Sequence, residues 1–168
     1  GFAVPLPDLQ EAIRKAETRS KADAEREASR HDLVVVFRRV AQAARLHGKA
    51  MAFCARELHE GARAGRKAQD VWNQARHEVD TKLKPEAANR VLVDDIAPAI
   101  LRVIADGNIS ASTRTSLDRL LQTYTEMRAW MKNPRSAPEF IRKTDDVLSD
   151  YESNVKALKT FTGVDDVD

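Results

Sequence analysis

The sequence predicts an all-α fold, and three observations carry that reading. Its 168 residues contain 6 Gly and 6 Pro against 25 Ala, so the turn punctuation of a many-stranded β fold is missing. Apolar residues recur at spacings of three and four rather than two. Hydrophobic residues make up 42% of the chain and charged residues 32%, enough for one core under a densely charged surface. One cysteine excludes a disulfide framework and a cysteine-rich zinc site. No apolar run approaches the roughly 18–20 residues of a membrane span. The chain opens on Gly1 rather than Met, so it reads as a fragment of a longer protein, and residues 1–168 read as one helical domain.

The elements follow in order. Asp8, after Pro5 and Pro7, suits a first helix cap, with Leu9, Ile13 and Ala16 on its apolar side. Residues 20–30 are Ala and charge, a charged insertion or a helix extension with little to bury. Asp32 suits the cap of a second helix whose stripe is Leu33, Val36, Phe37, Val40 and Ala44, ending at His47-Gly48. A third helix spans about 49–60, with Met51, Phe53, Cys54 and Leu58, before a connection bracketed by Gly61 and Gly65. A fourth spans about 66–79, and its Trp72 is expected to be largely buried. Pro85 suits the first turn of a fifth. Pro98 splits the next stretch into helices of about 86–93 and 95–105, with Asp94-Asp95 as a cap. Ser110 or Ser112 caps a helix to about Met131, with Leu117, Leu120, Leu121 and Tyr124 as its stripe. Ser136 and Glu139 form a capping-box pair before the last helix, which Gly163 ends. Residues 164–168 are an acidic tail. The expectation is about eight helices.

No catalytic constellation stands out. Cys54 sits in an apolar stripe and reads as a small buried hydrophobe. His31, His47, His59 and His77 never fall at metal-ligand spacing on one helix. His47 reads as a cation at a helix C-terminus. No metal, cofactor or catalytic residue is expected. The net charge of +2 argues against nucleic acid as a partner. Residues 1–84, however, carry 17 basic and 12 acidic residues, net +5, against 11 and 14, net −3, in residues 85–168. That asymmetry is either two differently solvated faces or a basic strip for an acidic partner.

Two segments, Arg56–Lys67 (RELHEGARAGRK) and Asn89–Trp130, resemble the RNA polymerase II C-terminal-domain-interacting domain family. The second carries Leu117-Asp118-Arg119-Leu120-Leu121, an L-x-R-L-L motif, and then Tyr124. The resemblance implies a right-handed superhelix of eight helices. It also implies a nuclear, non-catalytic module that grips the phosphorylated tail of the polymerase, with no membrane contact. Arg119 matches the family's phosphate-reading arginine. Arg66, Lys67, Trp72, Asn73, Arg76 and Tyr124 complete the implied groove. The fourth helix departs from the pattern, because neither register of Gln69–His77 keeps the family's carboxylate. A helical scaffold with a different protein partner, using residues 20–30 as a coiled-coil extension, stays open beside it. The oligomeric state is left open, with a monomeric domain of a larger protein as the expectation.

Overall fold

A computed structural model describes residues 6–167. Pro5 and the last tail residue, Asp168, lie outside them, and Asp8 falls inside the first turn of α1 rather than at its cap. Among the described residues every regular element is helical. The order is α1 (Leu6–Arg63), α2 (Ala68–Lys82), α3 (Pro85–Val91), a π turn (Leu92–Ile96), α4 (Ala97–Ala105), α5 (Ala111–Lys132) and α6 (Ala137–Thr162). The π turn joins α3 to α4 without a break, so the six α-helices form five rods. This replaces the expected eight helices.

The main difference is α1, a single helix of 58 residues where three were expected. At 1.5 Å per residue it is about 87 Å long. No proline falls between Pro7 and Pro85, so nothing removes a backbone donor along it. Asp32 is not a cap. It lies mid-helix and accepts from the Arg102 guanidinium of α4 at 3.1 and 3.2 Å. That bond holds its carboxyl below the usual carboxylate range. Gly48 does not end a helix either. A Cβ there would meet Leu148 Cδ2 of α6 at 2.9 Å, so this glycine lets α6 approach α1 closely. Gly61 does the same against Val71 of α2, at 2.6 Å.

Residues 33–58 of α1 are the spine of the core. Val36, Phe37, Val40, Ala44, Met51 and Cys54 are fully buried there, as the stripe predicts. α6 and α5 pack along this segment, with α2, α3 and α4 closing the remaining sides. The core side of α5 is Leu117, Leu120, Tyr124, Met127 and Met131, and that of α6 is Phe140, Val147, Tyr151, Val155 and Leu158. Phe161 remains exposed. Among the described residues, 6–28 of α1 are exposed save for the half-buried Glu11 and Ala22.

The other caps and breaks behave as their chemistry requires. Ser110 Oγ accepts from the Thr113 amide at 3.2 Å, and Ser136 Oγ from the Glu139 amide at 3.3 Å. Gly163 closes α6 in the left-handed region at φ 72°. Pro98 cannot donate into a helical ladder, and the chain answers with the π turn immediately upstream. Asp94 and Asp95 lie inside that turn and cap nothing; Ile96 is the N-cap of α4. The acidic tail folds back, with Val164 and Val167 buried and Asp166 paired to Arg38 of α1 at 3.2 Å.

Candidate functional site

The residues implied by the L-x-R-L-L resemblance do not assemble into one groove. Arg119 is exposed on α5 and holds no ion pair among the described residues. Its neighbours are engaged elsewhere: Asp118 accepts from Gln122 at 2.9 Å, and Glu126 pairs with Lys143 at 3.0 Å. Arg76 is half-buried on α2, pairs with Asp80 at 3.2 Å and donates to the Met131 carbonyl. It thereby satisfies an orphan carbonyl in the last turn of α5. Met131 lies twelve residues beyond Arg119, about 18 Å along the helix, so Arg76 and Arg119 cannot grip one phosphate.

The remaining expected ligand residues also divide. Arg66 donates to Gln74 at 2.9 Å and is exposed. Lys67 is the exposed N-cap of α2. Asn73 accepts from Gln69 at 2.9 Å and is exposed. Trp72 is half-buried rather than largely buried, its indole edge-on to Phe140 at 5.1 Å. Tyr124 is a core residue. Its hydroxyl donates to Asn89 Oδ1, and burial pushes its pKa up to about 12.

Tyr124 also packs edge-on against His47, centroids 5.1 Å apart. His47 is 1% exposed and sits mid-helix, which overturns its reading as a C-terminal cation. Its Nδ1–H donates to the Ala43 carbonyl at 2.9 Å, which leaves Nε2 as a buried acceptor without a protein partner. Burial pushes the imidazole pKa below its ordinary value, so the ring is neutral at pH 7. Cys54 is buried and its thiol is pushed up to about 12, again by burial. Neither group is placed to serve as nucleophile or base.

A different surface gathers charge over an apolar floor. Where α6 crosses α1, Gly48 and Ala52 face Leu148, Tyr151 and Val155 across a depression of about 580 Å³. Arg45 and Lys49 rim it from α1, and Glu152, Lys156 and Lys159 from α6. A second depression of about 540 Å³ shares Arg45 and Tyr151 with the first. It extends the groove past Arg38, Arg39 and Gln42 to the tail at Asp166 and Val167. Six cations therefore line a groove whose carboxylates, among the described residues, are Glu152 and Asp166. Lys49, Lys156 and Lys159 hold no ion pair among the described residues. The floor is fixed by Tyr151, whose hydroxyl donates to the Ala41 carbonyl at 3.3 Å.

The sequence held part of this signal. Arg38, Arg45 and Lys49 recur at seven and four residues, one stripe of α1 away from its core stripe, and they belong to the half of the chain with net +5. What periodicity could not supply was the register that sets Lys156 and Lys159 opposite them. No family model, curated protein or solved structure matches this chain.

Proposed function

We propose that the chain is a non-catalytic binding module, and that the groove between α1 and α6 takes an acidic or phosphorylated peptide. The carrying observation is the combination of an apolar floor with three rim lysines that hold no ion pair among the described residues. An extended peptide can seat an apolar or aromatic side chain over Gly48 and Val155 while its carboxylates or phosphates meet Lys49, Lys156 and Lys159. The phosphorylated C-terminal tail of RNA polymerase II is the ligand that the family resemblance suggests, in a nuclear transcription or RNA-processing factor. On this reading the phosphate is gripped at the α1–α6 groove rather than by Arg119. The acidic tail at Asp166 already occupies one end of the groove, which supports an acidic ligand.

Titration of the domain with phosphorylated and plain polymerase-tail peptides tests the ligand. Lys49→Glu and Arg119→Ala locate the site. Phosphate-dependent binding lost in Lys49→Glu and kept in Arg119→Ala supports the groove. Loss in Arg119→Ala alone moves the site to α5. The projecting half of α1 favours a second reading, a helical scaffold with another protein partner. Absence of binding by either peptide would support it.

A further inference from the structure

The N-terminal arm of α1 presents an apolar stripe that the other described residues leave uncovered. Leu6, Leu9 and Ile13 are 65%, 44% and 50% exposed. They begin a run of three- and four-residue spacings that places them on one side of the helix. The same stripe continues through the small residues Ala16, Ser20, Ala24 and Ala28, passes His31 and ends at the half-buried Val35. Large side chains occupy one end and small ones the other. Over the small end lies a shallow depression of about 800 Å³, with Ala24, Ala28 and Val34 in its lining and the charged Asp23, Glu27 and Arg30 around them. The packed segment of α1 already nucleates this arm, so its exposed Leu and Ile mark an interaction surface rather than a folding defect.

We infer that the arm pairs antiparallel with the arm of a second copy, making a symmetric dimer with Ser20 near the twofold axis. This goes beyond the peptide-binding reading and does not depend on it, because the arm lies outside the groove. The antiparallel register sets residue 13 opposite residue 28 and residue 6 opposite residue 35. Ile13 then enters the depression at the other copy's Ala28 while Leu6 meets Val35, and the helix separation stays even along the arm. A parallel pair would stack large on large at one end and leave small against small at the other.

The charges favour the same register. Glu17, Arg19 and Lys21 hold no ion pair within the described chain. In the antiparallel pair Glu17 meets Lys21 of the second copy, and symmetry repeats the contact. The contact runs over about 30 residues of each copy, roughly 45 Å of helix.

Sedimentation equilibrium of the full chain, from micromolar to submillimolar concentration, reads the oligomeric state. The expected result is a dimer of twice 18.8 kDa. Ile13→Asp should raise its dissociation constant roughly a hundredfold or more, because each dimer loses two apolar anchors and gains two buried charges. Its helical circular dichroism should not change. Glu17→Lys should weaken the dimer, and Glu17→Lys combined with Lys21→Glu should restore it. Orientation is read by oxidation: a mixture of Ile13→Cys and Ala28→Cys chains should cross-link to each other, and neither variant to itself. The buried Cys54 does not compete. A monomer at every concentration overturns the inference. So does a dimer that survives Ile13→Asp, or cross-linking of Ile13→Cys with itself.

Discussion

His47 shows how one buried ring makes the fold sensitive to mild acid. Its imidazole is neutral in the folded chain because burial opposes the charge. In the unfolded chain the same ring binds a proton as pH falls through about 6.5. Below that pH the unfolded state holds more protons, so stability falls, by up to about 1.4 kcal/mol per pH unit from this residue. Urea unfolding at pH 7.5 and 5.5 should show the loss. His47→Leu should flatten it, since Leu fills similar space and has no buried acceptor to leave unpaired. An unchanged pH slope in that variant would show that the ring titrates freely. Arg76 carries a different cost. Arg76→Ala should destabilise the fold by about 1–2 kcal/mol by freeing the Met131 carbonyl and the Asp80 carboxylate. It should leave peptide affinity unchanged. A selective loss of affinity would instead restore Arg76 to a ligand-binding role.

At the scale of elements, α1 explains most of what the sequence left hidden. Its core stripe from Leu33 to Leu58 was legible, because every third or fourth residue is apolar. Its continuity was not. Asp32 and Gly48 carry the chemistry of helix ends, yet here Asp32 holds Arg102 and Gly48 admits Leu148. Both roles are tertiary and leave no trace in local spacing. The π turn was half legible: Pro98 announced a break, but the sequence read it as a capped restart. Two glycine substitutions separate propensity from packing. Each Gly→Ala change should contribute up to about 1 kcal/mol of helix propensity. At Gly61 the added methyl meets the stiff, buried Val71 at 2.6 Å, so Gly61→Ala should be destabilising by about 1–3 kcal/mol overall. At Gly48 the obstacle is the end of the half-buried Leu148 side chain at 2.9 Å, which can rotate. Gly48→Ala should therefore cost less, and thermal melts of the two variants give the comparison.

For the whole molecule, the all-α class and most of the core followed from composition and periodicity, while the candidate site did not. The motif-derived set scattered because Tyr124 and Arg76 hold the core and a helix end together, and Arg119 stands alone on α5. The groove arises only when α6 folds back across α1, bringing residues more than a hundred positions apart onto one rim. The net charge of +5 in residues 1–84 pointed to its electrostatic sign, and the opposite charge of the second half masked it in the overall +2. The central claim is that this groove binds an acidic peptide through its cationic rim. Its most direct test is the affinity of the domain for a phosphorylated polymerase-tail peptide before and after Lys49→Glu combined with Lys156→Glu. The two changes are solvent-exposed, so melting temperature should hold, while affinity should fall by at least about tenfold, the worth of one charge-assisted contact. Binding that is equally tight after both reversals would contradict the account.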